Sequence, residues 1–151
     1  MIDHFTVSVS NLAASREFYT RVLAPLGYFP LNDYVTIVGY GDTRPYFWVK
    51  EAPIATTPQH IAFMAMSRAD VDAFHLEALA AGAKDDGAPG VREHYHKDYY
   101  GAFVIDPLNG HPIEAVCHFR PGGKKAVKAA AVARKRHGPA KRTKAPAKKK
   151  R

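Results

Sequence analysis

A single cysteine, Cys117, stands among 151 residues, so no disulfide can form within the chain and its fold rests on packing. Tryptophan is equally scarce, with Trp48 alone. The longest apolar run is Ile61 to Met66, far short of the roughly 20 residues that cross a bilayer, so no membrane span is expected. The opening residues MIDHFTVSVS lack a basic stretch followed by a long apolar one and do not read as a secretion signal. These absences make a soluble, cytoplasmic protein the expectation. Negative charge is missing from one region only. Residues 124–151 hold 13 Lys and Arg and no acid, whereas residues 1–123 hold 9 Lys and Arg against 14 Asp and Glu. The net charge of +8 therefore describes neither part, the body being net −5 and the tail net +13.

The tail also lacks large apolar side chains. From Pro121 it reads PGGKKAVKAAAVARKRHGPAKRTKAPAKKKR, a Lys, Ala and Pro composition that cannot bury enough surface to offset its ordering entropy. It is expected to be disordered. Such a polycation suits salt-dependent, non-specific contact with nucleic acid or another polyanion, because it carries no element that reads bases. A solvated extension without a partner is the alternative.

What is present begins with alternation. In HFTVSV, Phe5, Val7 and Val9 take one parity and His4, Thr6 and Ser8 the other, as in a half-buried strand. Ser10 or Asn11 can cap a following helix whose apolar side holds Leu12, Phe18, Tyr19, Val22 and Leu23, ended by Pro25 and Gly27. Tyr34–Tyr40 and Pro45–Lys50 read as strands. The pattern restarts at Gln59–Met66, with Ser67 as cap and a helix whose inward stripe is Val71, Phe74, Ala78 and Leu79. Strands follow near Lys84–Ala88, Tyr100–Asp106 and Pro112–His118. Offset by 56, the halves match His4 with His60, Phe18 with Phe74 and Leu23 with Leu79, which points to an internal duplication. His75 and His111 read as surface or helix-flank residues. Trp48 reads as packing, and Cys117 as buried by its strand parity.

These features resemble the vicinal oxygen chelate superfamily, which contains glyoxalases, bleomycin-resistance proteins and extradiol dioxygenases. The resemblance rests on IDHFTVSVSNLAASREFYTRVLAPLGY and on YHKDYYGAFVIDPLNGHPIEAV. It implies an α+β fold of two paired βαβββ modules, forming a curled sheet around a metal-binding cleft. The folded domain would span residues 1–119, with module one at about 1–51, module two at about 58–119, and the tail at 120–151. The ligand positions it implies are His4, His60 and Glu114. Aligning HPIEAV with RPYFWV places Phe47 at the fourth ligand position that glyoxalase I fills with a carboxylate, and a one-residue slip would bring Tyr46 or Trp48 there instead.

Two imidazoles and one carboxylate leave open coordination positions on Fe(II), Mn(II), Ni(II) or Zn(II). The resemblance implies a metal that chelates neighbouring oxygens of a small-molecule substrate and stabilises the developing charge. His94 or His96 lies where a proton-transfer histidine is expected, with a side chain suited to that work near neutral pH. If their segment is extended, both histidines share a side opposite Tyr95. His118 shares a strand face with Glu114 and is a further candidate to line the cleft. Three functions follow: a glyoxalase-like lyase or isomerase, an extradiol dioxygenase, or a non-catalytic binder of small molecules. Phe103, at the place of a tyrosine in the extradiol motif, weakens the second. A homodimer is the expected macromolecular partner.

Overall fold

The computed structural model describes residues 2–121; the tail, and every expectation for residues 122–151, lies outside the described residues. Two βαβββ modules follow one another. The first runs β1 (Phe5–Val9), α1 (Leu12–Leu23), a 3-10 turn (Ala24–Leu26), β2 (Phe29–Asp33), β3 (Ile37–Gly41) and β4 (Pro45–Glu51). The second runs β5 (Ile61–Met64), α2 (Arg68–Ala80), β6 (Lys84–Val91), β7 (Tyr100–Ile105) and β8 (Pro112–Cys117). The strands form two four-stranded sheets, ordered β1-β4-β3-β2 and β5-β8-β7-β6. In each sheet the first strand pairs parallel with the last and the other neighbours pair antiparallel. The equivalent sheet orders bear out the α+β, two-module reading and give the duplication a structural form.

Both helices start where a short polar side chain can accept from the open backbone. Asn11 accepts from the Ala14 N–H at 3.0 Å, and Ser67 accepts from the Asp70 N–H at 3.2 Å. Asp70 also sits in the first turn of α2, where a negative charge meets the positive end of the helix dipole. The buried stripe of α2 is Val71, Phe74, His75 and Ala78, a clean helical spacing. Leu79 is instead 39% exposed and His75 takes the place inside, its ring held to Asp85 at 3.0 Å. The match between Leu23 and Leu79 therefore holds in sequence and not in packing.

The expected Tyr34–Tyr40 strand begins only at Ile37, as β3, after a break over residues 34–36, and β2 ahead of it was not expected. Pro30 hides β2 from an alternation pattern, yet proline suits an edge strand because its missing N–H breaks no inner ladder. The bulge between Pro30 and Asn32 disturbs the pattern further.

One core serves both modules. The inward faces of the sheets and both helices contribute to a single cluster that includes Val7, Tyr19, Phe47, Phe63, Phe74, Ile113 and Cys117. An aromatic chain crosses it: Tyr19 meets Phe47 at 5.1 Å between ring centroids, Phe47 meets Phe63 at 5.3 Å, and Phe63 meets Tyr28 at 5.8 Å. A polar link spans the same boundary. The buried Tyr19 hydroxyl donates to Asp106 Oδ2 at 2.8 Å, while Leu108 N–H donates to Asp106 Oδ1 at 2.8 Å. Asp106 thus holds its own turn and anchors module one to module two. Burial and this carboxylate together push the Tyr19 phenol well above its usual range.

His111 is fully buried, contrary to its reading as a surface residue. Its Nδ1 accepts the Gln59 N–H at 2.9 Å, so the ring proton belongs on Nε2, which has no protein partner. Burial, partly opposed by Asp106, depresses its pKa from the ordinary 6.5. The unfolded chain then binds a proton that the native chain resists. The resulting stability is complete above pH 6.5 and is lost as pH falls toward the folded-state pKa. Urea unfolding at pH 7.5 and 5.5 should show this loss, and His111→Gln should remove its share of the pH dependence. A second test concerns Trp48, whose ring lies against Gly39. A Cβ on Gly39 would stand 2.7 Å from the indole and 2.8 Å from Pro45 Cβ. Gly39→Ala should cost about 1–3 kcal/mol by overpacking. The fluorescence of the sole tryptophan would shift with it, and an unchanged spectrum and unfolding midpoint would contradict this packing.

Candidate functional site

The site is built on the outer face of the second sheet. In β8, Ile113, Ala115 and Cys117 point into the core, so Glu114, Val116 and His118 occupy the other face by strand alternation. The ladder sets Glu114 opposite Ala62 of β5 and Phe103 of β7. Although it is on the outer face, the Glu114 residue is only 3% exposed. A buried carboxylate needs partners, and two are in place. His60, just ahead of β5, brings Nε2 to 2.9 Å from Glu114 Oε2, and the Tyr99 hydroxyl donates to Oε1. Burial and this bond raise the Tyr99 phenol pKa above its usual value.

His60 and Glu114 are thus brought together as their parity predicts. His4 is not with them. It lies exposed ahead of β1, where its Nδ1 donates to Asp3 Oδ1 at 2.9 Å and Asp3 Oδ2 accepts from Arg44 Nη1 at 2.6 Å. Among the described residues no group of three His, Cys, Asp or Glu side chains lies close enough to hold one metal ion. The first sheet also corrects the position that answers Glu114. Thr6 pairs with Trp48 as Ala62 pairs with Glu114, so Trp48 is the counterpart and Phe47 belongs to the core. The slip arises because β3 and β4 shift register between Tyr40 and Gly41, which a linear alignment of RPYFWV cannot register. At that position module one offers an indole, which has no lone pair to give a metal.

The loop after β6 carries the two proton-transfer candidates. It is a series of turns, so the strict alternation expected for an extended segment does not apply. His96 Nδ1 donates to the Lys97 carbonyl at 2.7 Å. Its Nε2 is then an acceptor and faces His118 Nδ1 at 2.9 Å, which must donate. Tyr99 meets both rings nearly edge-on, at 5.1 Å from His96 and 5.3 Å from His118. His94 stands farther out, packed on Tyr95 at 4.3 Å, with Tyr95 in turn 4.9 Å from Tyr99. His96 and His118 thus belong to one cluster joined to Glu114 through Tyr99. Tyr99 was missed because nothing in the repeat pattern marks a loop tyrosine as a carboxylate partner.

A cation borders the other side. The Arg92 guanidinium lies 5.7 Å from the centre of the Phe103 ring and donates to the Ala88 carbonyl at 2.7 Å. Gly90 leaves it room, since a Cβ there would fall 2.7 Å from Arg92 Nη1. Phe103 also stands 6.3 Å from the His60 ring. The outer face therefore combines a buried carboxylate, an adjacent imidazole, a fixed positive charge and an apolar wall. The donor chemistry fits a transition cation. His60 Nε2 and Glu114 Oε2 face each other at 2.9 Å, and a borderline nitrogen beside a hard oxygen is a donor pair that would hold such a cation.

Comparison with known proteins identifies the scaffold that carries these residues. Residues 1–115 match the family described as the Glyoxalase/Bleomycin resistance protein/Dioxygenase superfamily. A curated relative, metallothiol transferase FosB of Shouchella clausii, is 34% identical over 118 residues, covering 75% of this chain and 77% of the relative. A glyoxalase/bleomycin resistance protein from Albidiferax ferrireducens is similar in structure, with a TM-score of 0.68 and 27% identity, covering 76% of this chain and 97% of that one. The fosfomycin resistance protein FosX of Listeria monocytogenes shares the fold at a TM-score of 0.58 and 16% identity, covering 83% of this chain and 96% of its own. With two βαβββ modules and a match over nearly all of its described length, the chain belongs to the Glyoxalase/Bleomycin resistance protein/Dioxygenase superfamily.

Proposed function

We propose that this protein is a metal-dependent enzyme of glyoxalase-like, lyase or isomerase type, acting on a small substrate with neighbouring oxygens. The observation that carries the reading is Glu114, a buried carboxylate whose Oε2 faces His60 Nε2 at 2.9 Å on an otherwise open sheet face. Fe(II), Mn(II), Ni(II) or Zn(II) would suit these donors. When bound, the cation supplies Lewis-acid stabilisation of negative charge on substrate oxygens.

The third ligand in this reading is His4 from a second copy of the chain. Its Nδ1–H is held by Asp3, which leaves Nε2 as a free donor on an exposed surface. The outer faces of both sheets turn away from the shared core, so a homodimer that sets the first sheet of one copy against the second sheet of the other supplies the missing wall. The chain's remaining groups have defined tasks. Arg92 orients a substrate that carries negative charge, and Phe103 keeps water from the ligands. His96, whose tautomer is set by the Lys97 carbonyl and by His118, moves the proton; His94 is the outer alternative.

Thiol transfer is a second reading, favoured by the 34% identity with a protein named a metallothiol transferase. It uses the same ligands and differs in taking a thiol as co-substrate. Phe103, opposite Glu114 in the ladder, argues against extradiol dioxygenation, because its ring carries no hydroxyl where the extradiol motif has a tyrosine. A non-catalytic binder would need no metal.

Titration of the full chain with Mn(II), Ni(II) and Zn(II) tests the assignment. About one tight metal per chain is expected, lost in His60→Ala and in Glu114→Ala with little change in melting temperature. Full occupancy in both variants would remove the ligand assignment. The second-copy ligand has its own check. His4→Ala and Glu114→Ala chains should each fail to bind metal alone, whereas reassorting them together restores one intact site in each mixed dimer. No recovery on mixing would place His4 outside the site.

A further inference from the structure

Building on the reading that His60 and Glu114 hold a divalent cation, we infer that Tyr99 makes Glu114 a one-oxygen ligand and thereby sets the site's preference among cations. The two oxygens of this carboxylate are not equivalent. Oε1 accepts the Tyr99 hydroxyl, and Oε2 faces His60. The group is almost wholly buried, so water does not even out the difference. Only Oε2 is directed at the place where the imidazole also points.

Several features hold the phenol in this position. Its ring is packed by Tyr95, His96 and His118 at centroid distances of 4.9, 5.1 and 5.3 Å. Its backbone N–H donates to the His96 carbonyl at 3.2 Å, and its carbonyl accepts from Arg92 at 2.8 Å. Asp98, immediately before it, adopts a left-handed φ of 72°, a costly conformation for a non-glycine residue, and is tied to Arg120 Nε at 2.5 Å. Gly101 provides the space. A Cβ there would stand 3.1 Å from the Tyr99 ring and 3.2 Å from Glu114 Oε1, in the gap through which the two groups meet. The loop is thus shaped to deliver one hydroxyl to one carboxylate oxygen.

The chemical consequence is selectivity. Calcium gathers six to eight oxygens and commonly takes both oxygens of a carboxylate. Smaller transition cations accept imidazole and a single carboxylate oxygen. With Oε1 occupied by Tyr99, the site offers the second kind of donor set and withholds the first. Tyr99 is a positioning residue in this scheme, since it touches the ligand and not the cation.

The test uses the full chain and the metals alone. Mn(II) binding is followed by electron paramagnetic resonance with Ca(II) as competitor, for the unmodified protein, Tyr99→Phe, Gly101→Ala and His60→Ala, each with a melting temperature. Tyr99→Phe should weaken Mn(II) binding about 10–100-fold, the usual effect of losing a group that orients a ligand. The preference for Mn(II) over Ca(II) should narrow with it, because Oε1 becomes available. Gly101→Ala keeps the phenol but crowds the gap, and should shift both readouts in the same direction. Unchanged Mn(II) affinity in Tyr99→Phe overturns the inference. So does weaker binding with an unchanged preference, or a fall in melting temperature alone, since either leaves Tyr99 a structural cap. If His60→Ala binds Mn(II) as the unmodified protein does, the metal site itself is wrong, and that outcome is distinct from a failure confined to Tyr99.

Discussion

A sheet with one apolar face needs a cover, and here a single core covers both sheets at once. α1 and α2 lie within it, the aromatic chain from Tyr19 through Phe47 to Phe63 crosses it, and Asp106 ties its two sides together. Everything chemical follows from that shared burial. Once the inward faces are committed to the same core, the alternate residues of β8 and β4 must look outward. Glu114 and Trp48 occupy equivalent ladder positions on the outward side of their sheets. Among the described residues His4 stands apart from His60 and Glu114, bound to Asp3 instead.

The outer face of the second sheet shows how a polar site is maintained on such a scaffold. Glu114 is the most demanding group, because an ionised carboxylate removed from water is costly without partners. Its surroundings are arranged around that demand. Phe103 and Val116 supply apolar walls, while His60 and Tyr99 supply one polar contact each. Arg92 and the His96–His118 pair stand at the margin, where their charge and protons remain in reach of solvent. The family relationship accounts for the scaffold; these particular side chains give the site its own character.

Much of this was legible in the amino-acid sequence because strands and helices impose short periods. The alternation in HPIEAVCH is enough to set Glu114 and His118 on one face and Cys117 on the other, and that division holds. The repeated strand-helix start at His4 and His60 marks the two modules. What was not legible depends on long-range burial. His111 follows a turn and looks exposed in sequence, but the Pro58–Gln59 segment folds back over it and Gln59 binds its ring. His75 replaces Leu79 in the core because helix rotation, set by the contact with the sheet, decides between neighbours. Phe47 and Trp48 exchange roles through a register shift. Tyr99 enters through a loop conformation that no periodicity encodes.

The prolines and bulges at the outer strands have a consequence for assembly. β2 carries Pro30 and β6 carries Pro89, each in the strand that ends its sheet, and both strands are interrupted by register shifts. A strand so interrupted is a poor template for an incoming backbone. Both sheets are therefore blunted at these ends, and the first is capped at its other end too, where the Thr56 N–H donates to the Ser8 carbonyl at 2.9 Å and the Ser8 N–H donates to the Thr56 hydroxyl at 2.7 Å along β1. Chains with two receptive edges per sheet can add neighbours without limit, as fibrils do. With three of the four outer strands interrupted or capped, the sheets of this chain resist that kind of open-ended growth.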